Sequence, residues 1–340
     1  MEYDATGRLI QEWRDKYWIA NKYDELGNRT EVSSSLGAHI KMERDMLGQI
    51  SQLQAEQKGQ GQEPTGPGTA STGTAMPWTA QMSYNNGASN EFDKIFRMAD
   101  DVGNLYSCGL CTDRKYGAGG RLLESEGTKY SYDEEGRLIE KVDPDKTRWR
   151  YEYYDNGMMS KVMRPDGQEV MFTYDSLGRR IEKRFNGVVY CYIWDGNQIL
   201  HEWAAESTQD KYEEKPEFDS VAPQGAAEKF KYLISQPAAA QEPDPASLTT
   251  WVFEDGTFRP AAKITANGTY SIITDHLGTP VEMYDAHGER VWAAELDIYG
   301  DIRGIYLRGK RADCPFRYPG QYEDVETGLY YKPLPLLLAA

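Results

Sequence analysis

Few residues in this chain have the types and spacing that chemistry would need. Cys108-Gly109-Leu110-Cys111 has the spacing of a redox pair or of half a zinc site. A redox pair wants a helix starting at the first cysteine, whereas this one lies between a repeat and a turn. Zinc wants a second ligand pair, but Cys191 and Cys314 are single and far apart in sequence. The expectation is a cysteine-bearing loop. Of the histidines, His39, His201, His276 and His287, two sit in turn motifs, and turn or strand packing is their expected role. The many Asp and Glu residues could in principle supply a glycosidase pair, yet a turn motif accounts for most of the Asp and no pair stands out. Tyr and Trp stripes could stack on sugars, but on strands they form cross-strand pairs that hold a sheet together. No catalytic, cofactor-binding or metal-ligating residue is therefore assigned, no cofactor is expected, and the chain is read as not an enzyme.

The elements around these residues follow from an internal repeat. Its form is aromatic-Asp-x-x-Gly-polar-apolar. Clear copies are Tyr3-Asp4-Ala5-Thr6-Gly7-Arg8-Leu9, Tyr23-Asp24-Glu25-Leu26-Gly27-Asn28-Arg29 and Tyr132-Asp133-Glu134-Glu135-Gly136-Arg137-Leu138. Tyr174-Asp175-Ser176-Leu177-Gly178-Arg179-Arg180 and Tyr284-Asp285-Ala286-His287-Gly288-Glu289-Arg290 complete the set. Degenerate copies start at Arg44-Asp45, Asp100-Asp101 and Thr274-Asp275, the last with Gly278 in the turn. Gly27 and Gly48, Gly136 and Gly157, and Gly157 and Gly178 are each 21 residues apart. A second turn lies between them, Asp143-Pro144-Asp145-Lys146 or Arg164-Pro165-Asp166-Gly167. Each unit thus holds two turns and two strands.

Asp24, Asp133, Asp175, Asp275 and Asp285 are expected to accept backbone N–H bonds within their turns. Gly27, Gly136, Gly178, Gly278 and Gly288 are expected to take the left-handed conformation that ends a three-residue hairpin loop, a type I turn followed by a bulge glycine. The flanks alternate as strands do. Trp149, Tyr151 and Tyr153 share one face and Arg148, Arg150 and Glu152 the other; Val170, Phe172 and Tyr174 alternate with Met171 and Thr173. The fold class is all-β, a long antiparallel β-hairpin meander forming a curved open sheet rather than a barrel or a sandwich. About 20 strands at ~4.8 Å spacing would span on the order of 100 Å, a width that must curl or split.

Composition agrees. Tyr (24) and Gly (32) are abundant, while the hydrophobic fraction is only 39%. A net charge of −16 removes the attraction that drives phosphate binding, so neither nucleic acid nor an anionic membrane surface is an expected partner. Four cysteines in 340 residues make no disulfide framework. The start Met1-Glu2-Tyr3-Asp4 has no basic or apolar run, and Leu334-Pro335-Leu336-Leu337-Leu338-Ala339-Ala340 is too short to span a bilayer, so a protein made in the cytoplasm is expected.

The repeats resemble the YD repeats of the Rhs family, most closely from about Gly103 to Tyr331. Gly103-Asn104-Leu105-Tyr106, Tyr116 to Glu124 and Trp194-Asp195-Gly196-Asn197 are similar to core segments of bacterial Rhs effectors. So are Thr274-Asp275-His276-Leu277-Gly278-Thr279-Pro280 and Tyr318 to Tyr331, the two most specific stretches. The resemblance implies a hollow β-shell around a C-terminal toxin domain, often exported by type VI secretion and used against competing bacteria. It also implies a closing segment with an aspartate-dependent self-cleavage site after the point reached at Tyr331. This chain reads Lys332-Pro333-Leu334-Pro335 there and departs from the family pattern, so a fragment without closing segment or toxin is expected.

The expected layout is N-terminal repeats over 1–57, a Gly/Ser/Gln/Pro-rich linker or loop over 58–90, and a repeat core over 91–203. A polar insert over 204–249, an Rhs-associated segment over 250–331 and an apolar tail over 332–340 follow. A short helix is weakly indicated near Glu228 to Ile234. Expected partners are the remaining parts of an Rhs shell or its toxin cargo, with self-association through free sheet edges and an aromatic face open to water. The alternative is a surface YD-repeat protein that binds glycans or another cell.

Overall fold

The computed structural model describes residues 1–44, 50–57, 98–106, 112–206, 243–296, 300–303 and 308–333. Asp45 to Gly48 of the Arg44-Asp45 repeat copy, the 58–90 linker, Cys108 and Cys111, most of the 204–249 insert, the Glu228–Ile234 helix and nearly all of the tail lie outside these residues. The described chain is antiparallel β-structure; its only helical turns are the 3-10 turns Ala118–Gly120 and Arg311–Asp313. Strand order in every sheet follows chain order without a crossover, so the sheets form an open meander.

Two compact units are present, one of Met1–Gln81, Arg179–Glu182 and Gly187–Ala340, the other of Met82–Gly178 and Lys183–Asn186. In the second unit, neighbouring strands run from Arg114–Tyr116 through Leu122–Ser125, Thr128–Tyr132 and Leu138–Val142. They continue through Arg148–Tyr153 and Met159–Met163 to Glu169–Tyr174. The register places Tyr151, Val162 and Val170 in one cross-strand row, all buried, with Phe172 buried beside them. The opposite face is a charge ladder: Arg148 lies 3.3 Å from Glu140, and Lys161 lies 3.0 Å from Glu152 and 3.3 Å from Glu169. Each exposed pair stabilises little, but the alternation of faces sets which side packs and which is solvated.

The first unit holds a six-stranded sheet from Glu2–Tyr3 to Ile50–Gln57, and a ladder of successive strands from Val188–Asp195 to Arg290–Ala293. These two pack face to face. Tyr17, Ile19, Val32, Ile40 and Met42 of the first share one core with Cys191, Ile193, Trp203, Val252 and Ile264 of the second. The other face of the same ladder is also covered. Tyr192, Trp194 and Trp251 are buried with Trp292, Cys314 and Phe316, and Tyr322 and Tyr331 pack against them. The strand Val188–Asp195 is therefore buried on both sides, Cys191 and Ile193 facing one core and Tyr192 and Trp194 the other.

The sheets are open, and within the first unit the six-stranded sheet lies against the ladder. One expectation needs correction here. The aromatic face of the first unit is not open to water: residues 311–331 fold back over it, leaving Trp251 and Trp292 at 0% exposure.

Candidate functional site

The YD motif lines one end of the strands with turns, and the structure assigns each of its residues a contact. In six of the named copies the Asp backbone N–H donates to the carbonyl of the residue after the Gly: Asp4 to Arg8 (2.9 Å), Asp24 to Asn28 (3.0 Å), Asp100 to Asn104 (3.0 Å), Asp133 to Arg137 (3.0 Å), Asp275 to Thr279 (2.8 Å) and Asp285 to Glu289 (3.0 Å). The glycines Gly27, Gly136, Gly178, Gly278 and Gly288 each donate N–H to the carbonyl of the turn's Asp at 3.0–3.1 Å, with φ of 79–94°. The Asp carboxylates accept as well: Asn28 N donates to Asp24 Oδ1, Arg137 N to Asp133 Oδ1 and Leu177 N to Asp175 Oδ1. This is a type I turn closed by a bulge glycine.

Successive turns on the same side are wired to each other. The Tyr23 hydroxyl donates to Leu9 O (2.9 Å), Tyr132 to Leu122 O (2.8 Å) and Tyr153 to Leu138 O (2.8 Å). The Arg after the turn glycine pairs with its own Asp and stacks on the next Tyr. Arg8 Nε lies 2.6 Å from Asp4 and its guanidinium 4.9 Å from the Tyr23 ring; Arg137 does the same with Asp133 (2.6 Å) and Tyr153 (5.1 Å). The side chain that follows one turn also covers the glycine of the next. A β-carbon on Gly27 would stand 3.5 Å from Arg8, on Gly136 3.4 Å from Arg121, on Gly178 3.5 Å from Met158, and on Gly278 2.6 Å from Arg259 Cγ. Arg259 Nη2 also donates to His276 O (2.6 Å). The glycine thus serves both the left-handed backbone and the space for its neighbour's side chain.

Sequence reasoning missed one copy of this unit. Tyr116-Gly117-Ala118-Gly119-Gly120-Arg121-Leu122 forms the same turn, Gly117 N donating to Arg121 O and Gly120 N to Gly117 O. Glycine stands where the motif has Asp, and the surviving signal is Tyr-x-x-x-Gly-Arg-Leu. Some alternate turns also differ from the proline-containing form. Glu126-Gly127 and Asn186-Gly187 have φ of 50 and 82°, and 49 and 74°, as two-residue type I′ turns require. The Asn-Gly pair was the available signal.

One buried group has the layout of a nucleophile and base. His201 Nε2 lies 2.7 Å from Ser34 Oγ, and its Nδ1 2.9 Å from Thr250 Oγ1. The Thr250 hydroxyl donates to Gln57 Oε1 (2.6 Å) and therefore accepts from His201 Nδ1–H. Nε2 is then left to accept from Ser34, which itself accepts from Ala38 N (3.1 Å). The imidazole is neutral, and burial pushes its pKa down to about 3. With His201 at 0% and Ser34 at 7% exposure, the chain of bonds is buried and joins the six-stranded sheet to the ladder. Arg29 supports the same junction, at 2.7 Å from Asp195 and 2.9 Å from Asp255, as does Arg179 at 2.6 Å from Glu12.

The other residues weighed for chemistry lie apart. Cys191 and Cys314 are buried in different cores, and burial pushes the Cys314 thiol up to about 11. His39 lies between Glu56 (2.7 Å) and Glu31 (3.1 Å) on a solvated face, and His276 and His287 are in turns. Among the described residues, no cluster of three or more His, Cys, Asp or Glu is placed to hold a metal ion. No helix among them is long and apolar enough to cross a membrane.

A second feature joins distant sequence. Arg180, 1% exposed, is paired at 2.5 Å with buried Asp324 and surrounded by the rings of Tyr192, Tyr322 and Tyr331.

Comparison with known proteins agrees with the turns. Residues 109–187 match the family model "Teneurin YD-shell" and residues 270–304 match "RHS protein". The chain is 26% identical, over 97% of its length, to 22% of "Double-stranded DNA deaminase toxin A" of Burkholderia cenocepacia. It is 30% identical, over 63% of its length, to 16% of "Toxin protein Tse5" of Pseudomonas aeruginosa. A stretch of 86 residues is 37% identical to "Probable deoxyribonuclease RhsA" of Dickeya dadantii, covering 24% of this chain and 6% of that one. The chain thus spans about a fifth or less of the length of these relatives. The crystal structure of TcdB2-TccC3-TEV aligns with 97% of this chain and 21% of its own at 15% identity, with a TM-score of 0.31.

Proposed function

We propose that this chain, which belongs to the Rhs/YD-repeat family, is a non-catalytic wall segment of an Rhs-type shell that encloses a toxin. The observation that carries this reading is how the motif is used. Tyr, Asp, Gly and Arg of the YD unit are engaged in turn-to-turn contacts such as Arg137 with Asp133 and Tyr153, and not in a cleft. The Ser34–His201 pair, with the layout of a catalytic dyad, is sealed between two sheets. Three of the relatives are named as toxins or a deoxyribonuclease, and this chain spans no more than 22% of them, so we assign their activities to parts outside the matched stretch. The division at 58–90 and 204–249 belongs to the same proposal, as inserts between blocks of wall. So do the toxin cargo as partner, synthesis in the cytoplasm before secretion, and association of copies through edge strands such as Ile50–Gln57.

The test is a chimera. This chain replaces the aligned stretch of the Burkholderia cenocepacia toxin, and protease resistance of the remaining toxin is measured. Retained resistance of its C-terminal part is expected. Digestion of that part as fast as when it is free, in a chimera that is otherwise folded, refutes the wall reading. The purified chain is also incubated with double-stranded DNA, and deamination or cleavage above a heat-denatured control refutes the non-catalytic part. Light scattering reads self-association: oligomers are expected, and a clean monomer overturns that part.

A further inference from the structure

Arg180 is enclosed by parts from two distant stretches of chain. The strand Arg180–Phe185 supplies it, and the strand Val188–Asp195 supplies Tyr192. The C-terminal hairpin supplies the rest, Tyr322 and Asp324 from Tyr322–Asp324 and Tyr331 from Leu329–Tyr331. The guanidinium carbon lies 4.5 Å from the centre of the Tyr331 ring, 4.9 Å from Tyr192 and 5.3 Å from Tyr322. Asp324 Oδ2 lies 2.5 Å from Nη1. The backbone takes part as well: Arg180 N donates to Tyr331 Oη (2.8 Å), and Trp194 Nε1 donates to Arg180 O (2.7 Å). Tyr322 is itself fixed by donating to Glu202 (2.8 Å) and by edge-to-face contact with Tyr192 at 5.8 Å.

A buried cation needs a counter-charge and a polarisable surround. Here the carboxylate provides the first and three phenol faces the second. The shape of the box is specific. A flat, delocalised, weakly hydrated guanidinium can lie against several rings and still direct an N–H at Asp324, whereas an ammonium is a compact, strongly hydrated point charge. Two of the three rings and the carboxylate come from the hairpin, so the cation and the hairpin hold each other.

We infer that Tyr192, Tyr322, Tyr331 and Asp324 form a guanidinium-selective site, filled in cis by Arg180, which latches the C-terminal hairpin onto the aromatic face of the sheet. The inference rests on this box alone and is independent of the shell reading.

Hydrogen exchange on the whole chain tests it. Arg180→Ala is expected to speed exchange at amides 322–331 by roughly tenfold or more while amides 17–42 keep their protection. Methylguanidinium at tens of millimolar is expected to restore protection at 322–331, and methylammonium at equal ionic strength is not. Arg180→Lys is expected to lose protection there too, which keeps the test decisive where the alanine variant does not fold. Wild-type protection in Arg180→Lys, or equal rescue by methylammonium, would show that charge alone suffices and overturns the selectivity. Loss of protection across both segments without rescue by methylguanidinium overturns the latch.

Discussion

The buried His201 makes the stability of this protein depend on pH in a calculable way. In the folded chain its imidazole is neutral, with Nδ1–H donated to Thr250 and Nε2 accepting from Ser34, and burial pushes its pKa down to about 3. In the unfolded chain a histidine titrates near 6.5. Between these values the unfolded state binds a proton that the folded state refuses, so stability falls as pH falls through this window. The slope approaches about 1.4 kcal/mol per pH unit, and between pH 7.5 and about 4.5 the loss is about 2–3 kcal/mol. The assay is urea unfolding of the wild type and His201→Gln at both pH values, followed by tryptophan fluorescence. Shared carboxylates cancel in the comparison. The variant is less stable at pH 7.5 because its side chain fits the Ser34–Thr250 gap poorly, but its pH dependence is shallower by about 2–3 kcal/mol. Equal pH dependence in the two proteins would falsify the claim that the imidazole is neutral and sealed between the sheets.

Three other outcomes are expected. Gly278→Ala loses about 1–3 kcal/mol through its φ of 94° and a β-carbon 2.6 Å from Arg259 Cγ; Gly278→Ala with Arg259→Ala recovers the steric part only, as thermal melting will report. Gly136→Val, at φ 84°, loses a similar ~1–3 kcal/mol, and an unchanged melting temperature would exclude a bulge glycine there. Tyr153→Phe removes the hydroxyl that donates to Leu138 O and costs about 1 kcal/mol in denaturant unfolding, whereas no loss would show the inter-turn bond to be idle.

Much of the fold was legible because its signals are local. A Tyr-Asp-x-x-Gly stretch needs only its own backbone to form the bulged turn, and Asp133 with Gly136 closes it whatever surrounds it. The alternation around Trp149, Tyr151 and Tyr153 likewise reports two faces of one strand. Local signals fail where chemistry is substituted within an intact geometry. Gly117 replaces the motif's Asp at a turn that still closes through Gly120 and Arg121, and the copy escapes a search for Tyr-Asp. The arginine in Gly-Arg-Leu was visible in every clear copy that has it, but its role was not. Its partner ring, Tyr23 for Arg8 and Tyr153 for Arg137, belongs to the next turn on that side, which only strand pairing brings within 5.1 Å.

The sequence alone determined the hairpin unit, its two faces and the open antiparallel meander, because turn geometry and period-two alternation are written within a few residues of each other. Only the tertiary structure decided what each face meets. Val188–Asp195 is apolar on both sides, which signals double burial, yet nothing local says that one side takes the six-stranded sheet and the other the hairpin ending at Tyr331. The same holds for Arg180 with Asp324, 144 residues apart, and for Ser34 with His201, 167 apart. Such pairs form because burying apolar area brings the layers together and a polar group trapped between them must find a partner. That selection acts on the assembled layers and leaves no periodic mark in the chain.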